Sequence, residues 1–313
     1  MGATVTPTQG YLAGIFRTPD ILVGAARFEQ LMLNSGFDSE DLTSWTDDSA
    51  GASSATATVA KGWKERSWGC VLDDAGGPDA GTLSGISQIV TLDVAITAAQ
   101  EDVYIIHASV WAKFDASSDT ATLKVTGLSA ADADLGNGSV TLLSEHPYYG
   151  DTEWGYFSVS ILAKEDMKKV KLEIYSNAAA AQVVNIDNVR AYVLDEIGGA
   201  FGDLSLGQDS LLENISTYAT IGSHGEHTFA VAGEEPQMLE IPTFYIAVDS
   251  FAVDMQDGDR VFVILYTKRG TKTATRWEFF AYIKGVGINV PGRSFIKENV
   301  SLQLTGIVGF ADR

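Results

Sequence analysis

Apolar and polar side chains alternate with a period of two along several stretches of this chain. In the clearest run, from Val103 to Phe114, one set is Tyr104, Ile106, Ala108, Val110, Ala112 and Phe114, and the other is His107, Ser109, Trp111 and Lys113. The alternation recurs in residues 121–126, 156–161 and 170–175, and no long stretch repeats at helical spacing. Because successive side chains of a strand point to opposite faces of a sheet, the pattern predicts an all-β protein.

Composition indicates a globular protein and argues against one class of partner. The 313 residues are 45% hydrophobic and 20% charged, enough for two domains with cores of their own. The net charge of -20 argues against nucleic-acid binding, because a protein that grips phosphates needs a basic surface. The single cysteine, Cys70, excludes an internal disulfide.

The alternating pattern changes near a Gly-rich junction at Ile197 to Gly202, after which strands become more aromatic and charge density falls. We therefore predict that residues 31–198 form one β-sandwich inserted into a smaller β-sandwich or barrel made of residues 1–30 and 199–313. The inserted segment would be a self-contained domain of ordinary size.

Three stretches of the insert resemble the jelly-roll carbohydrate-binding modules of families 4, 9 and 22. Leu31 to Thr46, LMLNSGFDSEDLTSWT, resembles their first strand. Ser84 to Phe114 is similar to their central strand pair, and Asn185 to Val193, NIDNVRAYV, to their closing strand. The resemblance implies a jelly roll for residues 31–198.

The same resemblance implies a structural calcium ion where the first and last strands of the insert meet. Its ligands would be Asp38 and Asp187, with backbone oxygens near Asn34 and Gly36, since calcium prefers oxygen ligands. Asp38 stands where the family has a longer Glu. The alternative is that Asp187 only caps a turn.

Several aromatic residues belong to the polar set of the alternating strands. Flat aromatic rings with polar neighbours are what sugar C–H faces and hydroxyls require. We therefore expect a stacking platform for sugar rings made of His107, Trp111, Trp154, Tyr156 and Tyr175. The alternative is that these aromatic residues pack under a loop or against a neighbouring subunit.

The flanking segments resemble the tail tube proteins of long-tailed phages. Ile21 to Phe28, ILVGAARF, is similar to the opening strand of that family, while Arg276 to Gly287 and Asn299 to Gly306 resemble its hairpin and closing strand. The resemblance implies six-membered rings that stack into a tube, with DNA only passing through the lumen. The basic tip of the hairpin, with Lys268, Arg269, Lys272 and Arg276, would then contact the next subunit.

No residues in the sequence combine into a catalytic site. His224-Gly225-Glu226-His227 lies between loop-forming residues, whereas a zinc-protease motif needs two His one turn apart on a helix. We therefore predict a non-enzymatic virion structural protein, a tail tube subunit that contacts copies of itself and other tail proteins after assembly in the host cytoplasm. No stretch reaches the roughly 20 apolar residues of a membrane span, so no membrane partner is expected. The alternative is a carbohydrate-binding virion or surface protein that recognises a host polysaccharide.

Overall fold

A computed structural model describes most of the chain. The described residues are 11–18, 30–59, 61–63, 67–75, 83–116, 119–146, 150–151, 153–176, 181–201, 205–207, 210–214, 229–234, 238–244, 260–266, 276–289 and 297–311. Within these ranges the regular structure is entirely strand, which confirms the predicted all-β class. No helix in this part of the chain has the length and apolar character to cross a membrane.

Thirteen strands run from the N-terminal region to the end of the predicted insert. They are β1 (Tyr11–Arg17), β2 (Thr46–Asp47), β3 (Ser54–Val59), β4 (Trp68–Asp74), β5 (Ser84–Thr91), β6 (Tyr104–Phe114), β7 (Thr120–Ser129), β8 (Asp134–Leu143), β9 (Glu145–His146), β10 (Gly150–Asp151), β11 (Gly155–Leu162), β12 (Met167–Ser176) and β13 (Gln182–Phe201).

The C-terminal part contributes seven further strands within the described ranges. They are β14 (Ser205–Gly207), β15 (Ser210–Asn214), β16 (Phe229–Glu234), β17 (Met238–Phe244), β18 (Arg260–Tyr266), β19 (Arg276–Asn289) and β20 (Lys297–Ala311).

Two antiparallel sheets form the jelly roll. One has the strand order β2-β5-β12-β7-β8, and the other contains β3, β4, β13, β6 and β11 as neighbours. Their facing sides share one apolar core that includes Phe114 of β6, Leu172 of β12 and Ile186 of β13. In β6 the predicted inward residues from Ile106 to Phe114 all lie in this core, and Tyr104 packs against it. Alternation therefore predicted the inner face of this sheet correctly.

The long strand β13 belongs to both parts of the molecule. It pairs with β6 as far as Asp195, and its last residues, Asp195 to Phe201, pair with β1. From β1 the pairing continues through β18, β19, β20 and β17 and returns to β13, so six strands form a closed circuit. The predicted domain boundary at residue 198 lies inside the unbroken strand β13. The predicted opening strand of the flanking domain, Ile21 to Phe28, lies outside the described residues.

Strands β18 and β19 cover the outer face of the jelly-roll sheet, the face opposite the main core. A second apolar core forms there from Phe16, Tyr192, Leu194, Phe262, Ile264 and Phe280. Phe262 packs against Tyr192 and His107, with ring centroids 6.2 and 5.1 Å away. The outer face of β6 is therefore buried around His107, because strands more than 100 residues later in the chain fold over it.

Candidate functional site

The outer face of the jelly-roll sheet presents three rows of side chains from adjacent strands. Strand pairing aligns Trp111 with Tyr156 and Asp187, Ser109 with Ser158 and Arg190, and His107 with Ser160 and Tyr192. Since directly paired residues point to the same side of a sheet, these nine side chains share one face. The rows run from an aromatic end at Trp111 to a covered end at His107.

Four aromatic residues, Trp63, Trp111, Trp154 and Tyr156, form what we term the aromatic cluster. The rings of Trp63 and Trp111 stack with centroids 4.5 Å apart and an interplanar angle of 23°, and Tyr156 tilts against Trp111 at 5.4 Å. Trp111 and Tyr156 are buried, whereas Trp63 and Trp154 are half-buried. The cluster therefore offers partly exposed indole rings that are held from below by buried ones.

A hydrogen bond to the carboxylate of Asp187 on β13 holds Trp63 in place. The backbone N–H of Trp63 donates to Asp187 Oδ2 at 2.7 Å, and Asp187 itself lies opposite Trp111 in the strand register. Trp63 belongs to no regular strand, so this hydrogen bond and the ring stacking fix its position.

A buried carboxylate, Glu278 of β19, meets the covered end of the same face. Its Oε2 accepts a hydrogen bond from the Tyr156 hydroxyl at 2.8 Å, and its Oε1 accepts one from Ser158 Oγ at 2.7 Å and one from Arg276 Nε. His107 Nε2 lies 3.0 Å from Glu278 Oε2, within ion-pair distance although the alignment is too poor for a hydrogen bond. We call Glu278, Arg276, His107, Tyr156 and Ser158 the Glu278 network.

The charge states in this network follow from its contacts. Burial alone would raise the pKa of Glu278, but the charges of His107 and Arg276 and the hydrogen bond from Ser158 outweigh burial and hold that pKa well below its usual range. Burial, followed by the nearby Glu278 charge, raises the pKa of Tyr156 well above its usual value. Glu278 is therefore an anion and Tyr156 a neutral donor, a pairing suited to holding two layers together.

A small cavity lies between the aromatic cluster and the Glu278 network. Trp111, Tyr156, Asn188, Arg190 and Glu278 are among its lining residues, and its volume is about 20 Å³. Arg190 Nε donates to Asn188 Oδ1 at 2.7 Å along its rim. A cavity of this size holds about one water molecule, so a sugar ring would have to bind on the outer side of the cluster.

The structure brings three of the five predicted platform residues together and separates the other two. Trp111, Trp154 and Tyr156 belong to the aromatic cluster. The side chain of His107 is fully buried against Glu278 and cannot contact a sugar, and Tyr175 lies on β12 in the opposite sheet. The prediction is corrected for these two residues, because alternation identifies a face of one strand but not which sheet it joins or what covers it.

Sequence reasoning missed Trp63 and Glu278. Trp63 lies in an irregular segment without periodicity, so no pattern marked it. Glu278 did carry a signal, since an acidic residue among the aromatic residues of RWEFFAYI is costly to bury without a partner.

The predicted subunit-contact residues divide in a similar way. Lys268, Arg269 and Lys272 lie outside the described residues. Arg276 is only 5% exposed, and its Nη2 donates to Ser158 Oγ at 2.8 Å. The assignment of Arg276 to a subunit contact is therefore corrected, because the chain itself uses this guanidinium to neutralise Glu278.

The two carboxylates predicted to bind calcium converge on Gly36. A Cβ atom at Gly36 would lie 3.0 Å from Asp38 Oδ2 and 3.7 Å from Asp187 Oδ1, so glycine leaves open a space between two oxygen ligands. Burial raises the pKa of Asp187 to about 6, and the charge of Asp38 adds to that increase. Asp38 and Asp187 therefore bring two carboxylate oxygens together, as an oxygen-ligated cation requires.

Asn34 does not fit that ligand set. Its carbonyl oxygen already accepts hydrogen bonds from Phe37 N at 3.2 Å and Trp45 Nε1 at 3.1 Å, which use both lone pairs. Asp187 also accepts hydrogen bonds from the backbone N–H groups of Trp63 and Asn188, as expected if it stabilises a turn. No group of three His, Cys, Asp or Glu side chains suited to a metal occurs among the described residues.

If calcium binds between Asp38 and Asp187, adding calcium will raise the melting temperature and a chelator will reverse the rise, because a ligand that binds only the folded state stabilises it. Differential scanning calorimetry checks this. Asp38→Asn and Asp187→Asn should abolish the calcium-dependent shift, while Asp48→Asn at an exposed position should retain it. A shift of equal size in all three variants would place the ion elsewhere.

Comparison with known proteins yields structural likeness only. No family model matches the chain, and no curated protein matches it. Three solved structures are similar: the enzymatically active domain of tailspike protein 4 from bacteriophage CBA120 (15% identity, TM-score 0.38), TmCBM61 in complex with β-1,4-galactotriose (14%, 0.37) and the CBM22-1 xylan-binding domain of Xyn10C from Paenibacillus barcinonensis (16%, 0.36).

These matches cover 52%, 54% and 53% of this chain, respectively. They cover 99% of the TmCBM61 structure and 96% of the xylan-binding domain, but only 21% of the tailspike. The chain thus spans about a fifth of the tailspike structure. At these identities the likeness concerns the fold alone.

Proposed function

We propose that this protein is a non-enzymatic carbohydrate-binding virion or surface protein that binds a host glycan against the aromatic cluster. The observation that carries the proposal is the stack of half-buried Trp63 on buried Trp111, with half-buried Trp154 packed against the same cluster. Partly exposed indole rings offer a flat apolar surface to the C–H face of a sugar ring. Buried rings beneath them keep this surface in place without the cost of ordering it on binding.

Polar side chains beside the cluster supply partners for sugar hydroxyls. Lys113 follows Trp111 on the outer face of β6, and its Nζ lies 3.8 Å from Glu153 Oε2, next to Trp154 in the chain. These side chains are 37% and 66% exposed, so both can exchange this weak ion pair for hydrogen bonds to a ligand.

The proposal assigns no catalytic role to the site. Glu278 is a buried carboxylate that contacts the cluster through the Tyr156 hydroxyl, and it also accepts hydrogen bonds from Ser158 and Arg276 and lies 3.0 Å from His107 Nε2. A carboxylate held so firmly as an anion is a poor general acid. Its contacts support a structural role.

Trp63→Ala should weaken glycan binding about tenfold, because it removes one face of the stack while leaving the buried rings in place. Screening the full-length protein on a glycan array, followed by isothermal titration calorimetry with the glycans it retains, measures the effect. Tyr282→Ala is the matched control, since Tyr282 is 40% exposed on β19 away from the cluster. Equal affinity of the Trp63→Ala and wild-type proteins, or no bound glycan at all, would contradict the proposal.

A second candidate function, the tail tube subunit, is favoured by the closed circuit of β13, β1, β18, β19, β20 and β17. This circuit joins strands from before and after the insert, as a discontinuous tube domain requires. Closing a circuit removes unpaired sheet edges, which suits a rigid ring-forming unit. On this proposal the subunits form stacked six-membered rings in the virion, contact other tail proteins and carry the jelly roll on the outside.

Negative-stain electron microscopy of the purified protein tests the tube proposal. Rings or stacked tubes are the expected particles if the protein is a tube subunit that assembles without other components. Single particles of monomer size at high concentration would count against it and leave the carbohydrate-binding proposal unaffected.

A further inference from the structure

We infer that the aromatic cluster recognises the end of a glycan chain and not its interior. This inference rests on the proposed carbohydrate-binding function and adds which part of the glycan can be bound. It follows from the way β18 and β19 cover one half of the jelly roll's outer face.

Among the described residues, those of the aromatic cluster that are least covered are Trp63 and Trp154, on the side away from β19. Trp63 and Trp154 are half-buried there, and Lys113 and Glu153 lie at the surface. A glycan whose terminal sugar stacks on the indoles would extend from this side.

The face is closed on the other side. One row beyond Trp111 and Tyr156, Ser109 and Ser158 are only 2% and 1% exposed. Glu278 and Arg276 of β19 lie directly on Ser158, at 2.7 Å from Glu278 Oε1 to Ser158 Oγ and 2.8 Å from Arg276 Nη2 to the same oxygen. A second sugar in this direction would occupy the position of β19.

The cover is held too firmly to be displaced by a sugar. Moving β19 would separate Glu278 from His107, Tyr156 and Ser158, and Arg276 from Ser158, so this buried ion pair would lose its partners in the jelly-roll sheet. It would also expose Phe262 and Phe280, which are 3% and 6% exposed. Hydrogen bonds to sugar hydroxyls replace hydrogen bonds to water and give little net energy to offset these losses.

The cavity between the cluster and the cover is too small for a sugar ring. With room for about one water molecule, it ends the site at Asn188, Arg190 and Glu278. A glycan chain that runs along the strands from the cluster toward β19 must therefore stop at this point, and its last sugar is the one that stacks on the indoles.

The dependence of affinity on glycan length distinguishes recognition of a chain end from recognition of the chain interior. Calorimetric titration of the full-length protein with xylo-oligosaccharides and β-1,4-galacto-oligosaccharides of increasing length, together with any glycan retained on the array, measures affinity against length. The affinity should change by less than about twofold from disaccharide to hexasaccharide, because sugars beyond the open side make no new contact. An affinity that rises steadily up to the hexasaccharide would overturn the inference while supporting carbohydrate binding itself.

The dependence of binding on the number of chain ends can also be measured directly. Partial hydrolysis of xylan or β-1,4-galactan at constant mass multiplies the ends, so the number of protein molecules bound per gram should rise in proportion. A capacity unchanged by hydrolysis would overturn the inference. Trp63→Ala should lose this binding, and end-dependent binding that survives the substitution would place recognition elsewhere. Failure to bind every saccharide tested would overturn the proposed function, and the inference with it.

Discussion

The ion pair between Glu278 and Arg276, buried where two β layers meet, is the interaction on which the rest of the structure depends. A charged group in an interior is tolerated only when it is paired and hydrogen-bonded. Glu278 meets that condition with Arg276 of its own strand, the hydroxyl donors Tyr156 and Ser158 of β11, and His107 of β6 at ion-pair distance. Because His107, Tyr156 and Ser158 occupy fixed rows of the jelly-roll sheet, they determine where β19 can lie on it.

The apolar residues around the Glu278 network supply the buried surface between the two layers, and the network fixes the position of β19 on the jelly-roll sheet. Phe262 and Phe280 would bury similar surface at several offsets along the sheet, since the hydrophobic effect is not directional. Only one offset places Glu278 between the hydroxyls of Tyr156 and Ser158. Tyr156 is shared, since its ring belongs to the aromatic cluster and its hydroxyl to the network. The shape of the candidate binding surface is therefore tied to the docking of the C-terminal strands.

Much of the fold could be predicted from alternation because strands with one apolar face leave a period of two in the sequence. The inward residues of β6 were predicted from it. The position of Asp38 beside Asp187 came from resemblance to a family, and the structure brings the two together at Gly36. Alternation does not show which part of the chain packs against the outer face of a strand. His107 and Arg276 have the polarity of surface residues but are buried, because both meet the charge of Glu278 where β19 covers β6, a strand distant in sequence.

The most direct test of this account measures the stability of Glu278→Gln as a function of pH. The folded-state pKa of Glu278 lies below its unfolded value, so its contribution is complete at neutral pH and is lost as the pH falls below the usual carboxyl range of about 4. Urea unfolding should therefore show a loss of about 3 to 5 kcal/mol at neutral pH, the cost of breaking a buried pair. The difference from wild type should shrink in acid. Glu173→Gln, which alters a surface pair with Lys124 and Lys171, should cost no more than about 1 kcal/mol. Equal effects of the two substitutions at neutral pH would contradict the account.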